Sequence, residues 1–248
     1  MDLTSSLQQR PLLVLCSRPW NNALAGRLSR QLNRPVESIS KPAQLTTAAV
    51  AAIDPQWIFV PHWSHWIPKS IWGPWPTVIF HMTDLPYGRG GSPLQNLIQQ
   101  GHNSTMLTAL RCGDELDSGD IYLKQPLSLY GSAEEIFLRA DRLIEEMIEQ
   151  IVREMPVAKP QQGEPFLFRR RTPDQSNLAT CPEGDLSAWY DQIRMLDAEG
   201  YPHAFLEANG MRLEFRRVCH RSDGLHADVK LMPIAKGQTT SEILPYDD

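Results

Sequence analysis

The sequence predicts an α/β fold: a parallel sheet covered by helices, followed by a small α+β C-terminal region. Three observations carry that expectation. Short apolar runs alternate with helical stretches through the first half of the chain, a Pro-rich break follows the longest helical signal, and a strand-rich stretch lies beyond the break. Residues 11–17 (PLLVLCS) form an apolar run rich in strand formers, and residues 21–32 follow as a helix with Leu24, Leu28 and Leu32 on one face. Residues 35–40 (PVESIS) alternate as a second strand, residues 43–53 suit a helix, and residues 56–61 (QWIFVP) read as a buried strand. Residues 77–81 (TVIFH) complete the alternation. Sheets of this kind bind ligands beyond the carboxyl ends of their strands, and His62, His65 and His81 lie at or after such ends.

A Gly- and Pro-rich loop then leads to a helix over residues 93–100, with Ser92 as its expected N-cap and Pro93 in the first turn. Residues 106–112 and 121–129 read as strands flanking an acidic loop. The longest helix is expected over residues 132–154, where Ile136, Leu143, Met147 and Ile151 recur on one face and Ser132 with Glu135 fits a capping box. The segment MPVAKPQQGEP carries three prolines and little apolar content. It divides the chain into a domain over residues 1–155, a linker over 156–165 and a small domain over 166–248. Beyond the linker, residues 185–198 suit a helix and residues 211–218 and 227–232 suit strands. No internal repeat is visible.

Composition narrows the function classes. The chain has 248 residues, enough to bury a core without staples, and its balance of 42% hydrophobic to 21% charged residues excludes a disordered or collagen-like chain. No segment approaches a membrane span, and the polar opening with its short apolar run does not suit a secretory signal, so a cytoplasmic location is expected. Cys16, Cys112, Cys181 and Cys219 show no CxxC or metal-finger spacing and read as reduced thiols, mostly packing residues. Net charge is −5, with fourteen Lys and Arg against fifteen Asp and Glu up to residue 163, and ten against fourteen beyond it. Neither part suits a nucleic-acid platform, which concentrates positive charge.

Two segments can carry chemistry. His81 closes a buried strand and is followed by a turn containing Pro86, Gly88, Gly90 and Gly91, where glycines let a ligand approach bare backbone. The second is the acidic turn from Asp114 to Asp120, from which a carboxylate could orient the imidazole and hold its charged form. A histidine alone is more often structural. Together the two segments resemble the folate-dependent formyltransferases, which include methionyl-tRNA formyltransferase, glycinamide ribonucleotide formyltransferase and the sugar N-formyltransferases. His81, Leu85-Pro86, Arg89-Gly90 and Pro93 match the family's first motif, and Leu116-Asp117-Ser118-Gly119 matches its LDxG turn. Asp117 lies 36 residues after His81, which agrees with the family spacing. The resemblance extends back to Trp63-Ser64-His65-Trp66-Ile67-Pro68 and forward to Ile193-Arg194, Tyr201-Pro202 and Ala204-Phe205, roughly residues 11–218.

The resemblance implies a Rossmann-like catalytic domain that moves a formyl group from N10-formyltetrahydrofolate to a primary amine, without a metal. It implies His81 as the cationic donor beside the formyl oxygen, where negative charge develops. Asp117 would support that charge and help take the amine proton. It also implies that Cys112, Gly113, Asp114, Glu115 and Leu116 cradle the pterin, that Leu85, Pro86, Arg89, Gly90 and Gly91 line the cofactor entrance, and that Thr83, Asp84, Trp63 and His65 face the acceptor. One position departs: the family's asparagine two residues before the histidine is Ile79, which cannot donate a hydrogen bond. Thr83, Asp84 or Asn96 is expected to supply that hydrogen bond, or the site has changed its activity.

Other segments support competing readings. His62 and His65 around Trp63 and Trp66 suit an aromatic substrate wall or plain packing equally. Arg169-Arg170-Arg171 could grip a diphosphate, although such runs are more often solvated; Arg216, Arg217 and Arg221 carry the same ambiguity. The acidic balance of the second region argues against tRNA. By family analogy the expected acceptor is therefore a nucleotide-linked amino sugar. Methionyl-tRNA, an amino acid or a peptide amine are alternatives, as is a non-catalytic folate- or nucleotide-binding module. The oligomeric state stays open, a homodimer included.

Overall fold

The computed structural model describes residues 10–234. The polar opening at residues 1–9 and the last part of the expected C-terminal domain, residues 235–248, lie outside the described residues. The main sheet is built from β1 (Leu12–Cys16), β2 (Val36–Ile39), β3 (Trp57–His62), β4 (Thr77–His81), β6 (Ser104–Arg111) and β7 (Ile121–Ser128). Its strand order is β2-β1-β3-β4-β6-β7. The first four strands are mutually parallel, whereas β6 pairs antiparallel with both β4 and β7. The sheet is thus mixed rather than wholly parallel. Hydrophobic pattern reports burial, not direction, and the short acidic connection between β6 and β7 can only join antiparallel neighbours.

Helices α1 (Leu24–Leu32) and α2 (Thr47–Ile53) follow β1 and β2, and the single turn α3 (Lys69–Trp72) follows β3. Successive strand residues face opposite layers. Leu12, Val14, Phe59, Val78 and Phe80 pack with Leu24 and Leu28 of α1, while Leu13, Leu15, Ile58 and Val60 pack with Val50 of α2 and Ile71 of α3. All five residues of β1 are buried, as befits a strand covered on both faces.

The first layer is closed by α5 (Ala133–Glu154), whose buried residues Ile136, Ala140, Ile144, Met147, Ile148 and Ile151 repeat at helical spacing. Its capping box forms as expected: the Ser132 hydroxyl accepts from Glu135 N–H, and the Glu135 carboxylate accepts from Ser132 N–H at 2.8 Å. Arg27 of α1 fastens α5 to the layer through Asp141 (2.6 Å) and Glu145 (2.5 Å), and Asn21 donates to the other Asp141 oxygen.

Helix α4 (Pro93–Gln99) begins as expected, but Ser92 does not cap it. Ser92 takes a left-handed conformation, φ 53°, and its hydroxyl instead accepts from the N–H of Arg171. The C-terminal region contains α6 (Leu186–Arg194) and an antiparallel sheet of β9 (Ala204–Ala208), β10 (Met211–Arg221) and β11 (Gly224–Pro233). Residues 156–165 run along the first region: Lys159 exchanges both backbone bonds with Ile121. Immediately after them, β8 (Phe166–Phe168) pairs in parallel with β5 (Tyr87–Gly90), next to the loop after His81. Among the described residues no helix is long and apolar enough to cross a membrane.

Candidate functional site

The strand order reverses around β1, so a crevice opens beyond the carboxyl ends of β1, β3 and β4. A cleft of about 420 Å³ lies there. Its apolar walls include Val60, Ile79, Phe80, Leu116, Phe137 and Phe168, and its polar groups include Arg18, His62, His81, Asp117 and Arg170. A smaller chamber of about 120 Å³ shares His62, Trp63, Phe80 and His81 with it and reaches Asn21 and Asp141.

His81 and Asp117 come together inside this cleft. Both are 7% exposed, and His81 Nδ1 lies 3.5 Å from Asp117 Oδ2. His81 Nε2 lies 2.7 Å from the carbonyl oxygen of Gly88. Both ring nitrogens therefore face acceptors, the arrangement that suits an imidazolium, which donates from both. Asp117 Oδ2 also accepts from Gly90 N–H at 2.9 Å, joining the acidic turn to the glycine loop. Asp117 has a φ of 51°, a left-handed conformation that Asp tolerates better than most residues.

The glycines fit for steric reasons. A Cβ on Gly119 would overlap the Arg111 carbonyl oxygen, and one on Gly90, which has φ 104°, would lie 2.5 Å from the carbonyl oxygen of Phe168. The two turns can approach β6 and β8 this closely only without side chains.

Several expected site residues hold the loop rather than line the cleft. Thr83 is fully buried; its hydroxyl donates to the Gly88 carbonyl at 3.3 Å, and its own carbonyl accepts from Thr108 at 2.6 Å. Asp84 pairs with Lys124, whose ammonium also reaches the Leu85 carbonyl. Leu85 is buried, and the Pro86 carbonyl accepts from Phe166 N–H. Asn96 spends its amide on the carbonyls of Gly91, Ser92 and Arg169. Thr83, Asp84 and Asn96, the three residues expected to supply the hydrogen bond that Ile79 cannot make, are thus committed elsewhere. Gly90, Gly91, Leu116 and Trp63 do line the cleft.

In the acidic turn, Cys112 belongs to the second core layer and burial pushes its thiol up to about 12. Gly113 has open space around it. Asp114 pairs with Lys69 at 3.1 Å on the surface, and Glu115 is exposed, its carbonyl accepting from Ser118. His65 packs edge-on against Trp63. No group of three His, Cys, Asp or Glu side chains that could hold a metal occurs among the described residues.

The sequence did not point to Gln161, which lies in the expected linker. Its Oε1 accepts from Arg89 Nε (3.1 Å) and Nη2 (2.7 Å), and its Nε2 donates to the carbonyls of Asp117 (2.8 Å) and Gly119 (2.9 Å). One amide thus ties the glycine loop to the acidic turn. Arg18, just past the carboxyl end of β1, and Phe137 and Tyr201, brought in from distant parts of the chain, also line the cleft and were not among the expected site residues. Burial, with Arg18's charge adding to it, pushes His62 down to about 3, so this histidine lines the cleft as a neutral ring.

Comparison with known proteins adds a family to this geometry. A family model described as methionyl-tRNA formyltransferase, C-terminal domain, matches residues 173–232. The methionyl-tRNA formyltransferase of Campylobacter curvus is 32% identical over 99 residues, which cover 38% of this chain and 33% of that protein. The chain matches from about a third to three fifths of the length of such curated relatives. The structure of HypX from Aquifex aeolicus in complex with tetrahydrofolic acid shares the fold at 18% identity, with a TM-score of 0.69 over 90% of this chain and 46% of that one. The formyltransferase PseJ from Anoxybacillus kamchatkensis, in complex with a UDP-linked formamido sugar and tetrahydrofolate, overlaps more loosely: 16% identity and a TM-score of 0.52 over 64% of this chain and 85% of that one. The methionyl-tRNA formyltransferase structure from Clostridium thermocellum overlaps at a TM-score of 0.87 and 42% identity, covering 90% of this chain and 99% of that one. With near-complete overlap in both directions at that identity, the chain belongs to the formyltransferase family.

Proposed function

We propose that this chain transfers the formyl group of N10-formyltetrahydrofolate to a primary amine, with His81 and Asp117 as its catalytic pair. The observation that carries the reading is their approach to 3.5 Å, from 36 positions apart in sequence, inside an apolar-walled cleft. The cleft fits the co-substrate: about 420 Å³ lies within the range of roughly 300–1,000 Å³ of small-molecule sites. Its apolar walls suit a flat heterocycle and an aryl group, with Ile79, Phe80 and Leu116 as the holding surfaces. When bound, N10-formyltetrahydrofolate supplies an activated formyl group to a nucleophilic amine.

The remaining chemistry belongs to the chain. Asp117 Oδ2 is occupied by Gly90 N–H and His81, so Oδ1 is the atom to receive the amine proton, which is then returned to N10 as its bond to the formyl carbon breaks and tetrahydrofolate leaves. His81 must offer a donor to the formyl oxygen, and it does so by releasing Nε2–H from the Gly88 carbonyl. Thr83 already donates to that carbonyl and keeps it satisfied when the ring turns away. Donor contacts of this kind tighten only with substrate in place. Ile79 stands where the family has its asparagine and Thr83, Asp84 and Asn96 are committed elsewhere, so on this reading His81 is the main donor to the oxyanion.

For the acceptor, the reading favours a small amine, a nucleotide-linked amino sugar first. Two of the cations on the C-terminal sheet are neutralised by acids, which favours this: Arg212 meets Glu207 and Glu214, and Arg217 meets Asp228. Methionyl-tRNA is the second reading, favoured by the 42% identity to the Clostridium thermocellum structure. Single-turnover transfer from N10-formyltetrahydrofolate to amino sugar nucleotides, methionyl-tRNA and free amino acids tests both. Transfer to the sugar, lost in His81→Ala and Asp117→Ala, is the expected result. Tetrahydrofolate binding without transfer to any acceptor would make the chain a binding module, and no folate binding would overturn the proposal.

A further inference from the structure

Ile79 leaves His81 as the main donor to the oxyanion, and the structure holds a second N–H beside it. Two side chains lining the cleft carry a buried donor with no acceptor among the described residues: Arg18 at Nε and Trp63 at Nε1. The Arg18 guanidinium is drawn to the Gly200 carbonyl and the Tyr201 ring. Trp63 keeps company with His81, since both line the cleft and the smaller chamber alike.

The backbone sets this neighbourhood. β3 and β4 run parallel with Val60 opposite Ile79, so Trp63 comes one residue past the level of His81. Trp63 and Ile79 also pack against the same second core layer, that of Leu15, Ile58 and Ile71. The indole therefore lies on the face of the sheet to which Ile79 belongs, the face on which the family's asparagine would stand. His65 meets it edge-on, with ring centres 5.7 Å apart, and helps to fix its plane. An indole N–H only donates, and native structures rarely carry a buried donor without a partner or a use.

We propose that Trp63 Nε1 is a second donor to the formyl oxygen, taking over beside His81 the role of the asparagine that Ile79 replaces. Trp63 is then a catalytic residue rather than part of a substrate wall. As the amine nitrogen bonds to the formyl carbon, negative charge gathers on that oxygen, and a donor already fixed there lowers the barrier without giving up its proton. This inference rests on the proposed formyl transfer and deepens it by completing the donor set. An ordered water on Nε1 is the competing partner.

The test joins NMR of the indole N–H groups to kinetics, both on the full chain. The Trp63 Nε1–H signal, assigned by its absence from Trp63→Phe, is followed on adding N10-formyltetrahydrofolate without an amine, and separately tetrahydrofolate, which lacks the formyl group. A downfield shift with the formyl compound alone is expected. Single-turnover transfer by Trp63→Phe should fall roughly 100- to 1,000-fold, the worth of one oxyanion donor, while tetrahydrofolate affinity stays within about twofold. Adding Ile79→Asn to Trp63→Phe should restore part of the rate, a rescue that a packing role would not allow, and thermal midpoints check that both variants fold. An Nε1–H signal that moves equally with both ligands or with neither, or a Trp63→Phe rate equal to wild type, would overturn the assignment. A rate loss that Ile79→Asn leaves unrestored, without a formyl-specific shift, would make Trp63 a packing residue and overturn it equally. Failure of the transferase reading looks different: wild type then formylates no acceptor, and the Trp63 role falls with it.

Discussion

Replacing Gln161 by Leu removes the amide that joins Arg89 to the acidic turn while keeping the side chain's approximate bulk. The substitution deletes two donated bonds to the carbonyls of Asp117 and Gly119 and two accepted from Arg89. Neutral hydrogen bonds contribute a net of about 1 kcal/mol each and those to a charged group about 1.5–3 kcal/mol. Gln161 is only partly buried and water can replace some of these bonds, so the expected loss in stability is about 2–3 kcal/mol rather than the full sum. The larger effect falls on chemistry. The turn that carries Asp117 loses a tether, and a misplacement of about 1 Å in a catalytic group can cost about 100-fold in rate. Urea unfolding measures the first effect and single-turnover formyl transfer the second. Gln161→Glu is the informative companion, because it retains the Arg89 interaction but loses both donations to the carbonyls, and it should slow transfer nearly as much as Leu. If Gln161→Leu lowers stability but leaves the single-turnover rate within twofold of wild type, the amide is a structural tie only and its assignment as a positioning residue is wrong.

Other outcomes follow from the same geometry. Gly119→Ala drives a methyl into the Arg111 carbonyl oxygen, so it should destabilise by about 3 kcal/mol or more in urea unfolding and abolish transfer; a neutral result would contradict the turn geometry. His62 is pushed down to about 3 in the folded chain against 6.5 when free, so below pH 6.5 the unfolded state binds a proton that the native state does not. Its contribution is fully present above pH 6.5 and falls as pH drops toward 3, by about 2 kcal/mol at pH 5 at 1.36 kcal/mol per pKa unit. His62→Phe should flatten that part of the stability profile, and an unchanged slope would show that the ring is not kept neutral. Ile79→Asn places the family's amide in the wall of the cleft and should raise the single-turnover rate, by up to the roughly 100- to 1,000-fold that one oxyanion donor is worth elsewhere; an unchanged rate would show that this position faces no developing charge.

Much of the fold is legible because burial leaves a local trace. The run from Leu12 to Cys16 is apolar without alternation because helices cover both its faces, and Ser132 with Glu135 marks the start of α5 three residues apart. Chain direction leaves no such trace, so β6 and β7 read as strands but not as antiparallel ones. Ser92 looks like a cap from its neighbours, yet its hydroxyl is claimed by Arg171, 79 residues away. The candidate site divides in the same way. His81 ends a strand just before one glycine-bearing turn and Asp117 sits in another, both visible in sequence. Arg18 lies just past β1, but its guanidinium is set by Gly200 and Tyr201, 182 and 183 positions away, which no local pattern spans. Gln161 was hidden because a Pro-rich stretch suggests a linker, although it lies against the sheet edge. The resemblance implied that Thr83 and Asp84 face the acceptor; in the structure the Thr83 hydroxyl bonds the Gly88 carbonyl and Asp84 pairs with the Lys124 ammonium, partners that lie outside any local pattern.

The central claim is that His81, held by Asp117 within an apolar cleft, polarises a formyl group for attack by an amine. The most direct measurement is the single-turnover rate of formyl transfer from N10-formyltetrahydrofolate by His81→Ala, with tetrahydrofolate affinity measured on the same protein. The account predicts a rate at least about 100-fold lower with folate affinity largely retained. Transfer at the wild-type rate by His81→Ala would contradict it.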